Sequence, residues 1–142
     1  MSKQGLEVID HTVQLTHEWI NELADRLDWS NQRGVFHLLR ATLTNLRDLL
    51  GHNEAAQLSA QFPILIRGVF YEGWRPSDTP LKDRNKDSFI ARINADIREY
   101  PEYRGEEDIY AVFAVLNSRI SEGEIQDVRN SLPSSIRDIW PN

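Results

Sequence analysis

The amino-acid sequence predicts an all-α protein built from two similar four-helix units in tandem. Apolar residues recur at helical spacing through most of the 142 residues, and almost no stretch alternates apolar and polar residues as a strand does. The segment 54–67, EAAQLSAQFPILIR, also has a counterpart seventy residues later in 124–137, EIQDVRNSLPSSIR. Both segments lead from a short amphipathic run through a proline to an Ile-Arg pair.

Four helices are predicted in the first unit, at about residues 16–71. The helical pattern is weak in residues 1–15, where a helix is expected to begin at about Leu6 or Thr12, and it is clear after them. The second helix ends at Gly51, because glycine commonly follows the last turn of a helix. The third begins after Asn53 as N-cap. The fourth is predicted to start with Pro63 as its first residue, where the missing N–H costs no hydrogen bond.

A connector is predicted at 72–86, EGWRPSDTPLKDRNK, where prolines, a glycine and many polar residues interrupt the helical pattern. Trp74 is expected to hold this connector against the helices, because its large apolar ring resists full exposure. The helical pattern returns in the second unit, at about 87–140. There Ser121 and Glu124 have the spacing of a capping box at a helix start.

The duplication covers most of the chain. Shifted by seventy, residues 19–70 lie over 89–140 without a gap, and most apolar positions coincide. Two such units can bury their apolar faces against each other, so we expect one domain spanning residues 1–142. The expected centre of its core is Leu23, Leu43, Leu46, Ile66, Ile93, Phe113, Leu116 and Ile136.

Two pairs of charged residues are the only charged positions identical in both units. They are Glu54 with Arg67 and Glu124 with Arg137. The first interpretation is an ion pair within each unit that braces the proline-started helix. The second interpretation is functional, with Arg67 and Arg137 binding an anion or a peptide.

Short motifs mark the helix ends: Phe62-Pro63 to Arg67, Gly73-Trp74-Arg75-Pro76, and Leu132-Pro133 to Arg137. In these motifs the chain resembles the bacterial domain-of-unknown-function family catalogued as 2267, over about residues 16–140. Phe62 stands where that family would have leucine. The resemblance implies a compact all-helical bacterial protein without an established activity, and it implies no catalytic residues.

Composition narrows the function classes. With 22 acidic and 16 basic residues the net charge is -6, which disfavours nucleic-acid binding because phosphate contacts need a basic face. The absence of cysteine excludes disulfides and thiolate chemistry and fits a cytoplasmic protein. Residues 1–14 lack the apolar stretch of a signal peptide, and no segment is long enough to span a membrane.

No residue set with catalytic or metal-binding spacing is found. Neither a zinc motif nor a cysteine partner accompanies the histidines, and the glycines are too isolated for a phosphate loop. We therefore expect no enzyme activity, no metal and no cofactor. The histidines are His11, His17, His37 and His52.

The candidate binding residues are the two arginines and three aromatic residues near the unit ends: Arg67, Arg137, Tyr71, Trp74 and Trp140. These residue types are enriched in protein interfaces. The leading interpretation is a non-catalytic cytoplasmic interaction or adaptor module that binds a protein partner or its own copy. The alternative is a small-molecule site between the two units. An exposed apolar patch favours the first, and a closed pocket with convergent polar groups favours the second.

Overall fold

The computed structural model describes residues 6–142, and the first five residues of the N-terminal stretch lie outside them. The described chain has eight α-helices and no strand, which confirms the predicted all-helical class. No helix within it combines the length and apolar character needed to cross a bilayer. The helices are α1 Glu7–Leu27, α2 Gln32–Arg47, α3 His52–Ser59, α4 Ile64–Phe70, α5 Lys86–Ile97, α6 Glu106–Arg119, α7 Glu122–Asn130 and α8 Ser134–Arg137.

Some helix starts have the side-chain caps that the sequence favours, but α3 begins at His52 after Gly51, so the prediction of Asn53 as its N-cap is wrong. The Ser121 hydroxyl accepts a hydrogen bond from the Glu124 N–H at the start of α7, as predicted. The Asn31 side chain caps α2 in the same way. Pro63 differs by one position from its predicted role. Its ψ of 146° is extended, so it precedes α4, and its carbonyl accepts the N–H of Arg67 at 2.8 Å.

The core joins helices that are distant in sequence. α2 packs chiefly on α5, α1 on both α2 and α6, and α3 on α7. All eight residues expected at the centre of the core are fully buried within one apolar cluster. The helices before the connector therefore share their core with the helices after it. The tandem duplication stays a prediction.

The connector between α4 and α5 is fixed to the helices by hydrogen bonds. The Leu81 N–H donates to the carbonyl of Asp48 at 2.8 Å. The Arg84 guanidinium donates to the carbonyls of Leu49, after α2, and Ser131, after α7. One side chain of the connector thus holds the ends of two helices from opposite parts of the sequence.

Candidate functional site

Arg67 lies at the far end of α3 from its predicted partner. Its Nε donates to the carbonyl of Ser59 at 2.9 Å, and its Nη2 to that of Ala60 at 3.3 Å. These carbonyls form the negative end of α3, where a cation is favoured. Glu54 is in the first turn of the same helix. The predicted Glu54–Arg67 ion pair is therefore wrong, and Arg67 serves as a helix cap.

The second predicted pair is also wrong. Among residues 6–142 the Arg137 guanidinium forms no hydrogen bond or ion pair, although Arg137 is half-buried at the end of α8. Glu124 instead faces α3, where its carboxyl group lies near that of Glu54. The sequence predicts partners for the two glutamates within their own units, whereas the fold packs α3 on α7.

The candidate aromatic residues lie in two separate places. Tyr71 and Trp74 are neighbours, with ring centroids 5.1 Å apart, and the Tyr71 hydroxyl is 2.9 Å from the Ser59 hydroxyl. Trp74 also lies 5.5 Å from the ring of His52, so it anchors the connector as expected. Trp140 is buried and stacks on Phe113 at 4.1 Å. It belongs to the core, and its contacts are structural.

Three carboxylates meet where α3 packs on α7. Glu54 comes from the first turn of α3, and Glu124 and Asp127 come from α7. One oxygen from each lies within 4.8 Å of an oxygen from each of the others. We call these three residues the carboxylate cluster. Glu124 and Asp127 face the same partner because they are three residues apart on one helix.

Burial increases toward the interior of the carboxylate cluster. Glu124 is only 8% exposed, Glu54 is half-buried, and Asp127 is exposed. The Oε2 atoms of both glutamates are buried, and no group outside the carboxylate cluster donates a hydrogen bond to them. None of the three carboxyl groups forms an ion pair with a basic residue in the described part of the chain. The cluster therefore brings three acidic groups together without a protein cation in contact with them.

This environment changes the proton affinity of Glu124. Burial, a hydrogen bond with the carboxyl of Glu54, and the nearby charges of Glu54 and Asp127 together raise the pKa of Glu124 to about 8. Glu124 therefore keeps its proton to a higher pH than an exposed glutamate does.

The sequence contained one signal for the carboxylate cluster. Glu54 and Glu124 are identical at an offset of seventy residues. The identity is visible in the sequence, but the proximity of the two side chains is not. Their proximity depends on the packing of α3 against α7. Asp127 gave no such signal, since Gln57 stands at its corresponding position.

A second feature is an apolar surface at the start of α1. It consists of Leu6, Val8, Ile9 and Val13, together with Ile64 and Leu65 at the start of α4. We call it the α1 surface. The two helices adjoin there, because the Leu65 N–H donates to the Thr12 hydroxyl at 3.0 Å. The exposed fractions of the six side chains lie between 37% and 57%. Apolar side chains this exposed and adjacent are typical of an interaction site.

The α1 surface continues the core stripe of its own helix. Apolar residues and one threonine recur along α1 at alternating spacings of three and four: Leu6, Ile9, Val13, Thr16, Ile20, Leu23 and Leu27. The last four are buried against the other helices, whereas the first three are exposed. Such spacing keeps one stripe facing a neighbouring helix. The apolar stripe therefore extends beyond the residues that the other helices cover.

A cleft of ≈ 320 Å³ beside α2 is lined by charged groups that pair with each other, and the Nε of Arg40 lies 3.1 Å from a carboxylate oxygen of Glu72. Its buried arginine, Arg47, donates to the carbonyls of Phe70 at 2.8 Å and Glu72 at 2.7 Å, and pairs with Asp48 at 2.8 Å. Through these hydrogen bonds the Arg47 guanidinium joins α2 to the end of α4. The cleft is open and polar, unlike a closed ligand pocket.

Comparison with known proteins gives a family match. The sequence model of the family described as "Uncharacterized conserved protein (DUF2267)" matches residues 16–139. This match confirms the resemblance found in the helix-end motifs. No curated protein matches the chain. The matched span includes the carboxylate cluster and α4, and it leaves out the exposed first turns of α1.

Proposed function

We propose that this chain, which belongs to the DUF2267 family, is a non-catalytic cytoplasmic interaction module that binds an amphipathic helix of a partner protein. The proposal rests on the apolar stripe of α1. The stripe extends beyond the residues covered by other helices and includes three exposed residues, Leu6, Ile9 and Val13. A helix of the partner would cover this part of the stripe as the core helices cover the rest.

The shape of the α1 surface supports a helical partner. Its exposed stripe has alternating spacings of three and four, which match the side chains of a second helix lying alongside. Ile64 and Leu65 form one wall beside α1, so the partner helix would rest in the angle between α1 and α4. Full burial of one such side chain contributes about 1.5–3 kcal/mol, before the costs of association are subtracted.

Charge specifies the partner further. Glu7 borders Val13 in a shallow hollow on the same helix, and the chain as a whole carries a net charge of -6. A partner helix with lysine or arginine beside its apolar stripe complements this acidic border. A second copy of the chain would bring the same acidic border against it. We therefore commit to a basic amphipathic helix rather than to self-association.

The test uses two synthetic helical peptides that differ only in charge. Both carry leucine at the stripe positions of three heptads, one with lysine and the other with glutamate at the flanking positions. Binding of each fluorescent peptide is measured by anisotropy, at low and at physiological salt. The protein variants are Ile9→Glu and Val13→Glu. Tyr110→Glu is the matched control, because Tyr110 is also exposed but belongs to α6.

We expect the lysine peptide to bind the wild type and the Tyr110 control, more tightly at low salt, and to bind both α1 variants at least about tenfold more weakly. Equal binding of the two peptides would overturn the charge argument. Unchanged binding by Ile9→Glu and Val13→Glu would overturn the assignment of the surface. Dimers of wild type in sedimentation equilibrium that dissociate in these variants, without peptide binding, would make a second copy the occupant instead.

The tandem duplication belongs to the same proposal. We take α3 and α7 to be corresponding helices of the two predicted units, which accounts for the identity of Glu54 and Glu124. The alternative function, a small ligand held between the units, is favoured by the carboxylate cluster at this contact. The Asp127→Asn variant separates the two functions, since it alters the cluster and leaves the α1 surface intact.

A further inference from the structure

We infer that Glu54, Glu124 and Asp127 form a calcium-binding site between α3 and α7. The three carboxylate oxygens converge from two helices to within 4.8 Å of one another. They share no residue with the α1 surface, so this inference does not depend on the proposed function. The ligand class is a hard divalent cation, because every donor in the cluster is a carboxylate oxygen.

The buried member of the cluster is the observation that points to a ligand. Glu124 is more than nine-tenths buried, and no group outside the cluster donates a hydrogen bond to its Oε2 atom. A buried carboxylate is costly unless it is paired or coordinates a metal ion. The Oε2 atom of Glu54 is also buried without a donor from outside the cluster. A cation bound between the two helices would give both buried oxygens a partner.

The number of carboxylates favours calcium over magnesium. Mg²⁺ keeps several of its waters and is usually bound by one or two carboxylates, whereas Ca²⁺ takes six to eight oxygen ligands in a flexible geometry. Three carboxylate oxygens within 4.8 Å of one another can all bind one such ion. Zinc would favour nitrogen or sulfur donors, which the cluster lacks.

The exposed member of the cluster provides access. Asp127 faces solvent, so an ion can enter from its side. Ca²⁺ takes six to eight oxygen ligands, so water would complete its coordination on that side. Bound in this way, the ion would join the first turns of α3 and α7 and neutralise the charge that the protein leaves unpaired.

The test is isothermal titration calorimetry of CaCl₂ into the full chain after EDTA treatment and exchange into chelator-free buffer, with MgCl₂ as the comparison ion. Glu124→Gln and Asp127→Asn each remove one ligand. Asp127→Asn keeps the test decisive if the buried substitution impairs folding, because Asp127 is exposed. The matched control is Glu122→Gln, which removes one charge from the same helix outside the cluster.

We expect one Ca²⁺ per chain, weaker binding of Mg²⁺, and a Ca²⁺ affinity at least about tenfold lower in both ligand variants than in the wild type. Glu122→Gln should bind like the wild type. No binding up to about 10 mM Ca²⁺, well above the range of weak calcium modules, would overturn the inference. So would equal Ca²⁺ binding by wild type and Asp127→Asn, and equal affinity for Mg²⁺ would overturn the choice of calcium.

Discussion

Replacing Glu124 by glutamine should change how the stability of the protein depends on pH. In the folded protein the pKa of the Glu124 carboxyl is raised from 4.5 to about 8. The unfolded chain therefore releases this proton near pH 4.5, whereas the folded chain keeps it up to about pH 8. The raised pKa contributes stability to the folded protein that is fully present below about pH 4.5. This contribution is lost as the pH rises through about 8.

The magnitude follows from the difference between the two pKa values. At about 1.36 kcal/mol for each pKa unit, a rise from 4.5 to about 8 corresponds to at most about 5 kcal/mol. This is a large share of a typical stability of about 5–15 kcal/mol. Glutamine cannot ionise, and its amide can donate to the Glu54 carboxylate. The variant should thus match the wild type near pH 5 and be several kcal/mol more stable at about pH 9.

Unfolding by guanidinium chloride, in EDTA-containing buffers at a series of pH values, measures the free energy of unfolding of both proteins. The difference in free energy of unfolding between wild type and Glu124→Gln removes the contribution of titrating groups outside the carboxylate cluster. Glu122→Gln should instead follow the wild type at every pH, because Glu122 lies outside the carboxylate cluster. A difference that stays constant with pH, or that favours the wild type at high pH, would refute the reasoning.

Three further predictions concern the rest of the fold. Leu116→Ala should cost about 2–5 kcal/mol in denaturant unfolding, because Leu116 is fully buried, and a near-neutral result would contradict the assigned core. Arg84→Ala should lower the free energy of unfolding by about 1–3 kcal/mol, because two carbonyls lose a charged donor. Unchanged amide hydrogen exchange in the residues after α2 and α7 would contradict this role of Arg84. Arg67→Ala should lower the melting temperature more than Arg137→Ala, because only Arg67 caps a helix. Equal melting temperatures would argue against that cap.

The helices and the core were predictable because their signals are local. Apolar residues at helical spacing identified Leu23, Phe113 and the other central residues, all of which are buried. The hydroxyl of Ser121 caps α7 as its spacing to Glu124 indicated. These features depend on a few neighbouring residues, so the sequence contains enough information to place them.

The carboxylate cluster was not predictable in the same way. Its members meet only because α3 packs on α7, and no rule of local spacing states which helices become neighbours. Pairing Glu54 with Arg67 was reasonable from their shared recurrence, but the two residues sit at opposite ends of α3. The expectation of no metal rested on histidine and cysteine spacing, which carries no information on three carboxylates from two helices.

The start of α1 was only loosely defined by the sequence. The weak pattern of residues 1–15 predicts a helix start at about Leu6 or Thr12, and α1 begins at Glu7. The stripe formed by Leu6, Ile9 and Val13 becomes visible only when Thr16 is counted as part of it. Thr16 is buried, and its hydroxyl donates to the Thr12 carbonyl at 2.7 Å, so a polar residue occupies an interior position.

The packing of α2 on α5, α1 on α6 and α3 on α7 has a consequence for the continuity of the chain. A single backbone cut in the exposed stretch at Pro76–Asp78 would leave two fragments that still share one interior. Neither fragment could cover its apolar side chains by itself, so each would bind the other during refolding. The protein is thus suited to fragment complementation, in which two separately expressed pieces recover the native structure only when they meet.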